Sequence, residues 1–195
     1  MTIVLRPATL ADAPGVAAVV AEGWTAFSSF LPSSFVDEQN RSHLPRFQEL
    51  LSKPNPSSSM VLMVAVDTRD DGTEVVAGAC TVGTTRQKPA AIKDLYTYEL
   101  RCIYVHAGYH GQGIAKKLFQ EALRAFEIPV DAPIFCNVFL KNVRACRFYE
   151  KLGAIEVYRE ANSIYSPEPE FILSLAWSRA GDILSPPTAA RVANK

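Results

Sequence analysis

The chain has 195 residues, 48% of them hydrophobic, with 20 Lys plus Arg against 20 Asp plus Glu. That size and apolar share fit one domain with a substantial core, and the balanced charge argues against a nucleic-acid surface, which needs a strong basic excess. No apolar run reaches the length of a membrane span and the N-terminus has no signal-peptide pattern, so a cytoplasmic protein with no membrane or nucleic-acid partner is expected.

In chain order, Thr2 to Ala8 alternates as a strand, and Thr9 with Asp12 starts a helix through about Gly23, with Pro14 tolerated in its first turn. Trp24 to Phe35 reads as an aromatic, serine-rich connection. A second helix follows from Asp37 to Leu51 and ends at Lys53-Pro54-Asn55-Pro56-Ser57. Met60 to Asp67 and Glu74 to Gly83 are strands joined across Asp70-Asp71-Gly72, a hairpin signal. After a loop from Thr84 to Leu95 come a strand (Thr97 to Val105), a helix (Gly113 to Phe126), a strand (Pro133 to Leu140), a helix (Val143 to Leu152) and strands at Ile155 to Arg159 and Phe171 to Trp177.

The strand–helix–strand unit from Thr97 to Leu140 predicts one parallel pair in an otherwise antiparallel sheet. The fold class expected is α+β, a mixed, mostly antiparallel sheet flanked by helices, in one domain over residues 1–179. Residues 180–195, with Ser185-Pro186-Pro187 and no apolar period, read as a loose tail. Cys80, Cys102, Cys136 and Cys146 stand singly, as buried reduced thiols do.

The chemistry concentrates where the strand ending Ile103-Tyr104-Val105 runs through His110-Gly111-Gln112-Gly113-Ile114-Ala115-Lys116 into a helix. A helix N-terminus presents unpaired N–H groups and the positive dipole end, and the glycines let a phosphate approach the backbone closely. The nucleotide-triphosphate loop is excluded because Ile114-Ala115 occupy its Lys-Ser/Thr places, and the dinucleotide fingerprint because Lys116 stands at its third glycine. What remains is Arg/Gln-x-x-Gly-x-Gly/Ala, with His110 in the first place. His106 and His110 are four apart, but in a turn and without a following Glu, so no metal site is expected.

This segment, together with Asn142-Val143-Arg144-Ala145-Cys146-Arg147-Phe148-Tyr149-Glu150-Lys151-Leu152-Gly153-Ala154, resembles the GNAT superfamily of N-acetyltransferases, from Ile3 to about Trp177. Ala154 departs from the family's closing Phe. The resemblance implies acetyl-coenzyme A as donor, its pyrophosphate on the turn from His110 to Lys116 and its pantetheine arm along the backbone of Ile103, Tyr104 and Val105 and against Asn142. It also implies Tyr149 as general acid to the departing thiolate and Glu99 as general base, directly or through water. Period two places Glu99, Arg101, Ile103 and Val105 on one face; the alternative to a base is a sheet-edge carboxylate paired with Arg101, a pairing that would weaken it as a base. Histidine in place of arginine offers fewer hydrogen bonds and partial charge, which implies a pH-sensitive hold on the coenzyme.

In this superfamily the acceptor enters between the first two helices and the loop joining the last two strands. Here Trp24, Phe27, Phe30 and Tyr165, with Glu168 and Glu170 on the rim, are expected to receive a small cationic amine. No Gly-x-Ser-x-Gly elbow or His-paired cysteine is present, which suits direct transfer in a ternary complex. The expected function is acetyl transfer to the primary amine of a small molecule. A protein N-terminal or lysine acetyltransferase and a non-catalytic acyl-coenzyme A binding module are the other readings, and pairing of edge strands makes a homodimer an expectation too.

Overall fold

In the computed structural model, which describes residues 2–53, 59–86, 89–92, 94–163, 165–166 and 168–184, twelve main elements follow one another. They are β1 (Thr2–Pro7), α1 (Ala13–Thr25), α2 (Ser33–Ser52), β2 (Met60–Thr68), β3 (Glu74–Thr84) and β4 (Tyr98–Val105). Then come α3 (Ile114–Ala125), β5 (Ile134–Phe139), α4 (Val143–Lys151), β6 (Ile155–Asn162), β7 (Glu170–Trp177) and α5 (Ala180–Leu184).

The strands form one sheet in the order β1-β2-β3-β4-β5-β7-β6, antiparallel except for β4 and β5. The βαβ connection through α3 therefore yields the parallel pair expected of it. That pair is short: Tyr98 meets Ile134 and Glu99 meets Phe135, and the two strands then part. A buried stripe of Ile114, Leu118, Phe119, Ala122 and Leu123 seats α3 on one face of the sheet, while α1 packs Val16, Val20 and neighbours against Val64, Val76 and Ala79 on the other.

Three features differ from the sequence-based expectation. Helix α2 begins at Ser33, because the Pro32 carbonyl accepts the N–H groups of Phe35 and Val36 and so starts the helix four residues early. Its terminator at 54–58 lies outside the described residues. Residues 180–184, expected in a loose tail, form α5, with Ala180 and Ile183 in the core and the N–H groups of Ala180 and Gly181 bonded to Ala132 and Val130; residues 185–195 lie outside the described residues. Finally, Arg101 is an extra residue in β4: Val82 faces Leu100 and Thr81 faces Cys102. This bulge reverses the alternation, so Glu99 does not share a face with Ile103 and Val105. The period-two rule failed there because it assumes an unbroken ladder.

One ion pair fixes the start of α1. The Asp12 carboxylate receives a fork from Arg6 at 2.7 and 2.9 Å, and the N–H and hydroxyl of Thr9 at 2.7 and 2.8 Å. Burial alone would raise this carboxyl's pKa; the Arg6 and Thr9 bonds outweigh it and hold it below the ordinary range. A carboxyl depressed in the folded state stabilises fully above its unfolded pKa of about 3.9, and the contribution disappears as pH falls through the folded value. Asp12→Asn is expected to cost about 1–3 kcal/mol at neutral pH. Denaturant midpoints of wild type and variant should converge in acid.

Candidate active site

Where β4 and β5 part, three connected cavities open along the cleft. A groove of about 390 Å³ runs beside the turn after β4, lined among others by Val105, Ala107, His110, Ala115 and Arg144. A throat of about 270 Å³ lies between the parted strands, with Ile103, Asn137, Asn142 and Tyr149 on its wall. A third cavity, about 460 Å³, continues over the α1–α2 face against Trp24, His43, Arg46 and Arg101. Tyr104 borders all three, and Tyr149 borders the groove and the throat.

The turn is built as its glycines require. Gly111 and Gly113 have φ of +79° and +76°, and a Cβ on either would meet open space. Left-handed backbone, not crowding, selects glycine at both places. The last of them leads straight into α3, whose first-turn N–H groups have no partner within the helix. The side chain of Ile114 is buried in the core, so only its main chain is available at the helix mouth; Lys116 is half-buried and Gln112 is exposed.

His110 turns back on its own strand: its Nε2–H donates to the Val105 carbonyl at 2.7 Å. Beside it, Glu22 of α1 accepts the Ala107 N–H at 2.8 Å and pairs with His106 Nδ1. The Ala107 bond, more than the His106 contact, holds the Glu22 carboxyl below its usual range. A carboxylate on this groove was not foreseen.

Asn142 caps α4, its Oδ1 accepting the Ala145 N–H at 3.2 Å, and α4 carries Tyr149 inward to an edge-on contact with Trp177. Burial, then the nearby Cys136 thiol, pushes the Tyr149 phenol well above its ordinary pKa, so it stays protonated through the neutral range. Glu99 is buried, and none of the three cavities counts it in its lining. Its carboxylate accepts the Arg86 N–H at 3.2 Å and lies 3.9 Å from Arg86 Nε. Arg101, its partner in the non-catalytic reading, instead donates to the Ser59 and Thr84 carbonyls at 2.9 and 2.7 Å.

The aromatic residues divide. Trp24, Phe27 and Tyr165 line the cleft, whereas Phe30 packs beneath it on Phe27 and Phe139, each at 5.5 Å, with the Lys141 ammonium over its ring. The acidic rim is not found: Glu170 is buried and bonded to Lys141 at 2.7 Å, and Glu168 is exposed away from the cavity linings.

The model of the acetyltransferase (GNAT) family matches residues 24–154. The chain belongs to that family. No curated protein matches it. Among solved structures, the fold is similar to PaiA N-acetyltransferase of Thermoplasma acidophilum in complex with coenzyme A, at 17% identity and TM-score 0.65 over 89% of this chain and 98% of that one. It is also similar to NAA60 of Arabidopsis thaliana in complex with acetyl-CoA, at 21% identity and TM-score 0.62 over 90% and 98%. YjaB of Escherichia coli matches at 20% identity and TM-score 0.59 over 90% and 97%. Among the described residues of this GNAT acetyltransferase, no group of three or more His, Cys, Asp or Glu could hold a metal, and no helix is long and apolar enough to cross a membrane.

Sequence reasoning did not find His43, Arg46 and Arg86 as cavity residues, nor the Tyr104 side chain. One signal existed for Arg101, a charge inside an apolar strand. The Tyr104 ring lies against α1 where Gly23 has no side chain; a Cβ there would stand 2.2 Å from Cδ1. Glycine in a helix ordinarily costs about 1 kcal/mol relative to alanine, yet Gly23→Ala is expected to destabilise, by about 1–3 kcal/mol, because the packed Tyr104 ring has to move. Chemical denaturation of the two proteins reads the sign directly.

Proposed function

We propose that this protein transfers the acetyl group of acetyl-coenzyme A to the primary amine of a small molecule, directly and without an acyl-enzyme. The observation that carries the reading is the parting of β4 and β5 beside a left-handed glycine turn, with Tyr149 on the throat between them. The two coenzyme-bound structures named above, PaiA and NAA60, have the same fold. The groove fits the coenzyme: N–H groups at the mouth of α3 receive the pyrophosphate, and Arg144 lies close enough to add charge. On the β5 side the main-chain groups of Ile103 and the N–H of Val105, which have no ladder partner there, receive the pantetheine arm, while the Val105 carbonyl already accepts from His110.

The bound thioester supplies an activated acyl carbon and a thiolate leaving group. Tyr149 holds the proton that the departing sulfur needs; a phenol is a weaker acid than a thiol, so transfer from tyrosine runs through a concerted bond rather than free ionisation and is restored from solvent. Asn142, by capping α4, fixes the helix that aims this hydroxyl. An incoming ammonium has to lose a proton before attack, and Glu99 takes it through water, since its carboxylate lies behind Arg86 rather than on the cleft wall. The cavity beside the throat, about 460 Å³, has a size that suits a small-molecule acceptor.

Calorimetric titration with acetyl-coenzyme A, no acceptor present, should show micromolar-range binding; absence of heat at several temperatures would defeat the reading. Tyr149→Phe should lower kcat about a hundredfold while the acetyl-coenzyme A affinity changes little. Glu99→Gln should lose most of its rate at neutral pH and recover part of it near pH 9, where more of the amine is already unprotonated.

A further inference from the structure

We infer that the acceptor amine also carries a carboxylate, as a free amino acid does. The inference rests on the transferase reading and concerns the cavity over the α1–α2 face, which opens into the throat through shared walls at Trp24, Arg101, Tyr104 and Tyr165.

Three guanidinium groups converge there from separate elements: Arg46 from α2, Arg86 after β3 and Arg101 from the β4 bulge. The carboxylates facing them are few. Glu49 is bonded to Lys53 at 3.0 Å, and Glu99 lies behind Arg86. Among the described residues Arg46 and Arg101 are in no ion pair, and Arg101 is half-buried with its Nε enclosed and unbonded. Burial, then the charge of Arg86, pulls the Arg101 pKa down, and the opposing pull of Glu99 is smaller than either.

A second observation is independent of these charges. His43 lines the same cavity at 2% exposure, and neither ring nitrogen has a hydrogen-bond partner among the described residues. Buried polar nitrogens and a desolvated guanidinium are costly until something bonds to them. A ligand oxyanion accepts from the protonated ring nitrogen of His43 and brings the negative charge that the arginines, Arg101 bonded only to the neutral carbonyls of Ser59 and Thr84, lack. Arginine forks match a planar carboxylate in charge and geometry, while Trp24, Phe47 and Tyr165 offer an apolar wall for the body of the molecule. The cavity volume suits a small molecule. A cationic polyamine would bring like charge against three arginines, and a peptide N-terminus has no carboxylate near its amine; both are disfavoured by the same wall.

The test compares each standard free amino acid with its C-terminal amide and its decarboxylated amine, and adds spermidine as the cationic control. Coenzyme A release is read with a thiol reagent. Thermal shift of the coenzyme A-loaded protein supplies a reading independent of turnover. At least one free amino acid should exceed its amide in kcat/KM on the order of tenfold or more, and should raise the melting temperature where its amide does not. Arg46 is exposed, so Arg46→Gln folds, and it should cut that preference several-fold while the acetyl-coenzyme A titration serves as control. Equal or better use of amides or spermidine overturns the inference, as does acetyl-coenzyme A binding with no carboxylate-bearing acceptor used or bound. Loss of acetyl-coenzyme A binding in the unmodified protein overturns the transferase reading beneath it instead.

Discussion

Two parallel strands that bond at Tyr98–Ile134 and Glu99–Phe135 and then part leave main-chain N–H and C=O groups along both edges with no ladder partner. Such groups in an interior have to be met by something else, and a long, polar, flexible arm is well suited to meet them. The rest of the site is arranged around that opening. Asn142 caps α4 so that Tyr149 reaches the throat from the β5 side, and Phe27 against Phe139 closes the far end with an edge-on ring contact at 5.5 Å. Tyr104 packs on Gly23 and borders every compartment, so a side chain at that place on α1 would displace a ring common to all three cavities.

The charges are sorted by compartment. Asp12 with Arg6, Glu170 with Lys141, and Glu22 with His106 are matched locally, each carboxylate held by at least one hydrogen bond. Such pairs settle strand and helix ends rather than create a field. Arg46 and Arg101 are different: both are left with positive charge on the largest of the three cavities. The balanced composition conceals this, because a neutral total says nothing about where charge is concentrated. The expectation of a cationic acceptor followed from acidic residues near the last loop; Glu170 proved to be an internal partner of Lys141 instead.

The coenzyme side was far more legible than the acceptor side, for a physical reason. A phosphate cradle is local: strand, glycine turn and helix start lie within about twenty residues of one another, and the left-handed positions at Gly111 and Gly113 demand glycine whatever surrounds them. Asn142 and Tyr149 belong to one helix and share its logic. The acceptor cavity draws Arg46, Arg86 and Arg101 from three places separated by dozens of residues, and no spacing rule links them.

By itself the sequence determined the order and type of the elements, the parallel pair flanking α3, the turn that opens α3 and the family motifs, because each follows from residues adjacent in the chain. Tertiary structure decided what depends on distant packing. The bulge at Arg101 reversed one strand's faces, docking of α5 turned an expected tail into core, and packing on Phe27 and Phe139 kept Phe30 off the cleft wall that Trp24, Phe27 and Tyr165 line. Glu99 came to rest against Arg86 rather than Arg101, since which guanidinium a carboxylate meets is settled by the sheet's curvature and the bulge, not by neighbours in sequence.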